Sequence, residues 1–251
     1  MKEYYKEILD NIVNDFYNSI RSFGLDKKLR KPTIIVTDIL NKENTYGSYR
    51  YFFGFNIIEI DKSLLKNYNE FEDKYKLYHV LFHELTHYTR FENNKDYRLK
   101  SFIINTLTIS SIIPVFYLPL FYNYYLLLWI IPYIPIYKKV FDKVNKYKKL
   151  EEFTTEALTI IFLSKVFKKE EIEKMNDIIS YGSKEYFIGS LLGNILLNID
   201  KEKQREIVHK LIKANSLDNI KYIIYELTDY LPENEYIKSL YKEVLNYINS
   251  I

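Results

Sequence analysis

The residues best suited to chemistry lie in one short segment, HVLFHELTHYTRF, at 79–91. It contains His79, His83 and His87, three of the four histidines in the chain. Residues four apart share one face of a helix, so the imidazoles of His83 and His87 can converge on a single ion. Glu84 follows the first of these two and can reach a water molecule bound to that ion. HELTH is thus the HExxH pattern, which predicts two zinc ligands and a carboxylate general base.

The other two histidines are not predicted to bind the metal. His79 lies a further helical turn from His83, about 6 Å along the axis, so its ring would point away from the ion. We interpret it as a packing residue or as one that supports a ligand. His209, in REIVHKLIKAN, is typical of an exposed helix residue, with stabilisation of a transition state as the alternative. For the HExxH histidines, the alternative is an ordinary amphipathic helix without a metal.

A catalytic zinc site of this kind needs a third protein ligand and an open fourth position. The chain has no cysteine, so we expect this ligand to be a carboxylate. The segment EEFTTEAL contains Glu151, Glu152 and Glu156, and the last two stand four residues apart on one helix face. Because one sequence defines the phase of a helix poorly, all three remain candidates. Asp96 is a further alternative.

An HExxH helix followed by a helix with two acidic residues four apart resembles the gluzincin metallopeptidases. The resemblance implies that Glu152 is the third zinc ligand and that Glu156 steadies a ligand histidine. Glu156 stands where that family usually has Asp, one methylene shorter. Arg90 and Asn93 occupy the positions where the metzincin pattern requires Gly and His, so that pattern fails.

The chain is most similar to the membrane-embedded branch of that group, the heat-shock-type membrane proteases and CAAX prenyl proteases. Those proteins carry two transmembrane helices between the two motifs. Here residues 101–137 contain no Asp, Glu, Lys or Arg, and a run of 37 residues can supply two short spans. Lysine and arginine at both ends predict a multi-pass protein with two spans, its catalytic part facing the cytoplasm and a lipid bilayer as a partner. The alternatives are one long tilted span, a buried aromatic-rich hairpin in a soluble protein, or an apolar partner interface in such a protein.

Composition and periodicity predict a predominantly helical α+β fold. Hydrophobic residues make up 47% of the chain, whereas Gly and Pro number only 6 each. Apolar residues at spacings of three and four predict helices over 2–22, 70–91 and 147–167, with about five more in 168–251. TIIVTDI (33–39) and YRYFFGFNIIEI (49–60) predict a small sheet, the second as one bent strand or two strands broken near Gly54. We expect this sheet to pack on the HExxH helix and the glutamate helix.

These patterns divide the chain into three parts. Residues 1–100 carry the first helix, the sheet and the HExxH helix, residues 101–137 the hydrophobic hairpin, and residues 138–251 the glutamate helix and the C-terminal helices. The net charge of +3, from 36 basic and 33 acidic residues, indicates no nucleic-acid partner. The N-terminus lacks the basic start and apolar run of a secretory signal.

The predicted function is therefore a membrane-associated zinc metalloendopeptidase that hydrolyses polypeptides with metal-activated water and Glu84 as general base. The resemblance also implies that an edge strand within 49–60 pairs with an extended substrate, and the alternative for this segment is an ordinary pair of core strands. The alternative is a membrane-anchored helical interaction protein with a structural or vestigial metal site.

Overall fold

The structure, a computed structural model, describes residues 2–25, 29, 31–38, 46–52, 55–66, 68–94, 133–178 and 183–251. Eight α-helices and one three-stranded sheet lie within these residues, which confirms the predicted, predominantly helical α+β class. The helices are α1 (Lys2–Ser22), α2 (Phe71–Asn93), α3 (Tyr133–Leu163), α4 (Lys169–Ile178), α5 (Lys184–Leu196), α6 (Lys201–Lys213), α7 (Leu217–Glu226) and α8 (Glu235–Ser250).

The sheet contains β1 (Thr33–Thr37), β2 (Gly47–Phe52) and β3 (Phe55–Asp61) in the order β1-β3-β2. The segment predicted as one bent strand or two is thus two antiparallel strands, with Gly47 opposite Ile60. β1 pairs with β3 in parallel. Ile58 and Ile60 of the central strand are fully buried, as expected for alternate residues on the face that packs on the helices. β2 is left as an edge strand that lies against α2.

The core joins α1, α2 and α3 through aromatic side chains. Ile12, Phe16 and Ile20 follow one another at intervals of four and are fully buried, so α1 presents one apolar stripe. The ring of Phe16 meets Phe82 of α2 edge to face at 5.1 Å between centroids and Phe162 of α3 at 5.7 Å. Such pairs add to the stability that burial of their area provides. This packing fixes α2 and α3, the two helices that carry the predicted site, relative to one another.

Helix α5 crosses the glutamate helix α3 at very short range. A Cβ atom placed on Gly189 would lie 2.5 Å from the carbonyl oxygen of Phe153 and 2.8 Å from Cβ of Glu156. Only glycine fits at this crossing, because real Cβ contacts are not this short. The approach places the beginning of α5, including Tyr186, beside the acidic face of α3.

The prediction of a multi-pass membrane protein is corrected by the structure. Within the described parts of the chain, no helix combines the length and the apolar character needed to cross a bilayer. Residues 133–137 of the predicted hairpin form the start of α3, and Lys138, Lys139 and Asp142 follow in the same helix. The end of the apolar run therefore continues as a charged helix, and the expected transmembrane helices and membrane location are withdrawn. Residues 101–132 of the predicted hairpin lie outside the described residues.

Candidate metal centre

Helices α2 and α3 run in opposite directions, with the histidines of one facing the glutamates of the other. The histidines repeat at intervals of four residues, as do Glu152 and Glu156, so each of these sets occupies a single helix face, with Glu151 at the edge of the second. Moving along α2, His79 meets Glu156, His83 lies between Glu156 and Glu152, and His87 lies between Glu152 and Glu151. The result is an alternating row of imidazoles and carboxylates between the two helices.

Three of these side chains form a group that can hold a metal ion: His83, His87 and Glu152. The two Nε2 atoms lie 3.1 Å apart, and Oε2 of Glu152 lies 3.1 Å from Nε2 of His83 and 3.3 Å from that of His87. A tetrahedral ion with bonds of about 2.05 Å separates its ligand atoms by about 3.3 Å. The spacing of the three atoms therefore fits a small divalent cation. The side chain of Glu152 is 33% exposed, which leaves this side of the group open to solvent.

The other ring nitrogen of each histidine faces a second carboxylate. Nδ1 of His83 lies 2.9 Å from Oε2 of Glu156, and Nδ1 of His87 lies 2.8 Å from Oε1 of Glu151. A carboxylate only accepts, so each Nδ1 donates a proton to it, and the Nε2 of a ring that carries no second proton keeps a lone pair. Two lone pairs and a carboxylate oxygen then converge on one point. Such a point requires a positive charge, which a metal ion or a bound proton can provide.

The pKa shifts of these side chains also indicate that the group favours a positive charge between the two helices. Burial alone would lower the pKa of His83, but hydrogen bonds to Glu152 and Glu156 outweigh it and raise this pKa to about 9. The pKa of His87 is likewise raised, by Glu152 and Glu151 against the effect of burial. Burial would raise the pKa of Glu156, yet His79 and His83 lower it to about 2. His87 and His83 hold the pKa of Glu152 well below its usual range, again against burial.

Glu84 lies beside this group and is only 8% exposed. Burial raises the pKa of its carboxyl, whereas the nearby His83 and His87 act in the opposite direction. The backbone N–H of Tyr49 in β2 also acts to lower this pKa. A Cβ atom on Gly47 would lie 3.1 Å from Oε1 of Glu84 and 2.6 Å from a methyl carbon of Val80. The edge strand thus begins directly against the predicted general base.

Tyr186 is a component of the centre that sequence reasoning did not identify. Its ring stacks on His83 with 4.9 Å between centroids and 28° between planes. Burial, together with the charges of Glu152 and Glu84 and a hydrogen bond to Glu152, raises the pKa of its hydroxyl far above the usual value. The hydroxyl therefore remains a proton donor throughout the ordinary pH range. With 26 tyrosines in the chain, no spacing signal separated this one from the others.

A buried arginine, Arg90, connects the two helices of the metal-binding group to the C-terminal part of the chain. Nη1 of Arg90 donates to the backbone carbonyl of Glu151 and to the hydroxyl of Thr155, each at 3.0 Å. Its Nη2 donates to the carbonyl of Ala214, at the end of α6, at 3.2 Å. The hydroxyl of Thr155 also lies 3.3 Å from Nδ1 of His87. Arg90 thus connects the HExxH helix, the glutamate helix and the C-terminal helices.

The structure also shows where the other two histidines and the candidates for the third ligand lie. His79 is not part of the metal-binding group, since its Nε2 lies 2.7 Å from Oε1 of Glu156. His209 lies in α6, where its Nε2 contacts the backbone carbonyl of Phe23 at 2.7 Å, outside the group. Of the candidates for the third ligand, Glu151 and Glu156 face Nδ1 atoms and Glu152 alone faces both Nε2 atoms. Asp96 lies outside the described residues.

Comparisons of the chain with protein-family models, with curated proteins and with solved structures found no match.

Proposed function

We propose that this protein is a zinc-dependent metallopeptidase whose ion is held by His83, His87 and Glu152. The observation that carries this proposal is the triangle of their three acceptor atoms, 3.1, 3.1 and 3.3 Å on a side, with Glu84 buried beside it. Two imidazoles and one carboxylate are a donor set that suits zinc better than magnesium or calcium. When bound, the ion supplies Lewis acidity, which polarises a carbonyl group and lowers the pKa of water to about 7.

Glu84 is the general base of the proposed reaction. Its carboxylate accepts a proton from water as the water oxygen adds to the carbonyl carbon of the peptide bond. The same carboxyl then donates this proton to the amine nitrogen as the carbon–nitrogen bond breaks. The raised pKa of Glu84 suits this task, because a carboxyl that both accepts and returns a proton works best when its pKa approaches the working pH.

Tyr186 and β2 complete the proposed machinery. The hydroxyl of Tyr186 stays protonated and lies at the metal-binding group, so it can donate a hydrogen bond to an oxygen that gains negative charge during the reaction. β2 is an edge strand that starts against Glu84, and an extended polypeptide can add to such an edge through backbone hydrogen bonds. The proposed substrate class is therefore an extended polypeptide segment.

The experiment that tests this function compares Glu84→Gln with Glu72→Gln, the same change at an exposed position of α2. We expect wild-type protein to bind about one zinc ion per chain and to cleave casein. Glu84→Gln should keep the zinc and lose activity by at least about 100-fold, since its amide cannot accept the proton. Glu72→Gln should match wild type in both measurements. A Glu84→Gln variant as active as wild type would refute the assigned base. Wild-type protein that binds zinc without cleaving any peptide would refute the enzyme and favour a structural metal site.

A further inference from the structure

His79 is a buried histidine on the ligand face of α2 that the proposed reaction does not use. It is 7% exposed, and its Nε2 lies 2.7 Å from Oε1 of Glu156. The ring of Tyr75, one turn earlier, lies nearly parallel to that of His79, with 6.2 Å between centroids. The orientation of His79 is therefore constrained both by a stacked ring and by a carboxylate.

Glu156 is completely buried and makes two hydrogen bonds with imidazoles, one through each oxygen. Oε1 is paired with Nε2 of His79 and Oε2 with Nδ1 of His83, at 2.7 and 2.9 Å. A buried carboxylate is costly unless donors satisfy it, and a glutamate side chain has three torsions that must be fixed. A single donor leaves the carboxylate free to rotate about its last torsion. Two donors on opposite oxygens determine its plane.

We propose that His79 is a positioning residue for the metal centre, which acts through Glu156 on His83. By donating to Oε1 it holds Oε2 of Glu156 against Nδ1 of His83, and this keeps the lone pair on Nε2 of His83 directed at the metal position. The inference rests on the proposed metal binding. It predicts that a residue with no ligand atom in the centre contributes to zinc affinity.

Two amide substitutions separate this role from simple packing. In His79→Gln the side-chain nitrogen can occupy the place of Nε2 and donate to Glu156, whereas in His79→Asn the side chain is too short to reach it. His79→Leu fills the space without any donor. His209→Leu is the matched control, since it also removes a histidine whose Nε2 contacts an oxygen, the carbonyl of Phe23, at 2.7 Å but away from the centre.

The measurement is the zinc dissociation constant by competition with a chromophoric chelator, together with the absorption spectrum of the cobalt(II)-substituted protein. We expect His79→Leu and His79→Asn to weaken zinc binding by about 10- to 100-fold and to alter the cobalt spectrum. His79→Gln should stay within about threefold of wild type, because it retains the hydrogen bond. His209→Leu should lower the melting temperature without changing zinc affinity.

The outcomes distinguish this inference from the proposed function. Unchanged affinity in a folded His79→Leu or His79→Asn variant would overturn the inference alone, as would equal losses in the Gln and Asn variants. If His79→Leu fails to fold, the comparison of Gln with Asn decides the question. Wild-type protein that takes up no zinc would overturn the proposed function as well as this inference.

Discussion

At the level of single residues, the three glutamates of α3 have different partners although they stand within six positions of one another. Glu152 faces the Nε2 atoms of both HExxH histidines, whereas Glu151 and Glu156 each face one Nδ1 atom. The sequence predicts an acidic residue opposite HExxH, but it does not separate these roles. Adjacent residues on a helix differ by about 100° in direction, and the contact with α2 falls on the boundary between Glu151 and Glu152.

The division of roles predicts different losses of metal. Glu152→Ala removes a ligand atom and should reduce zinc content to background at micromolar concentration. Glu151→Ala removes only the acceptor for Nδ1 of His87 and should weaken zinc binding by about 10- to 100-fold. Equilibrium dialysis followed by elemental analysis measures both. Equal zinc content in Glu152→Ala and wild type would place the third ligand elsewhere.

Zinc affinity should depend on pH, because the ion competes with protons for the imidazoles. The pKa of His83 is raised to about 9 in the metal-free protein, so below that pH the ion must displace a proton from this ring. Affinity should therefore rise with pH, by about tenfold per unit for each displaced proton, between pH 6.5 and 8. Titration with a chelator of known pH dependence provides the test. A flat affinity over this interval would contradict the raised pKa.

At the level of elements, the edge strand β2 and the HExxH helix approach closely because residue 47 has no side chain. The periodicity of 49–60 indicated strands, and the structure adds the contact with Glu84, which comes from two residues before that segment. Sequence patterns report which face of an element is buried, but not which element covers it. The close approach at Gly47 and that at Gly189 both depend on pairings between distant parts of the chain.

Displacing β2 should impair catalysis and leave metal binding intact. In Gly47→Val the new side chain meets Val80 and Glu84, so the strand must move away from Glu84, the proposed general base. We expect kcat/KM for a peptide substrate to fall by about 10- to 100-fold with zinc content unchanged, since all three ligands lie on α2 and α3. Ser48→Ala, the next residue on the same strand, serves as the control and should retain activity. Full activity in Gly47→Val would remove β2 from the proposed substrate site.

At the level of the whole molecule, the metal should stabilise the fold because its ligands belong to helices far apart in sequence. Bound zinc would join α2 to α3 and offset the negative charge of the carboxylates between them. At a free zinc concentration 100 times the dissociation constant, binding adds about 2.7 kcal/mol to the free energy of unfolding. For a chain of this size, the melting temperature should rise by about 5–10 °C. Calorimetry with and without a chelator measures the shift, and Glu152→Ala should show none.

Much of the fold could be predicted from local sequence patterns, whereas the membrane prediction, which rested on composition, was wrong. The stripe of α1, the position of α2 and the five C-terminal helices were predicted because each buries one regular face. The uncharged run was assigned to a membrane on its length and apolar character, and α3 shows its end continuing into charged turns. Tyr186 was not identified because its position on His83 depends on the crossing of α5 over α3, which no local pattern encodes.

The hydrogen bonds of Arg90 determine how far the chain can be shortened without affecting the metal-binding group. Among the acceptors of Arg90 are Glu151 and Thr155 of α3 and Ala214 at the end of α6, and Ala214 lies more than 120 residues further along the chain. A fragment that stopped after the glutamate helix would lose this acceptor and the packing of α6 against α2. The C-terminal helices therefore help to hold Arg90 against the glutamate helix. A fragment limited to the two motifs would lose part of this support for the metal-binding group.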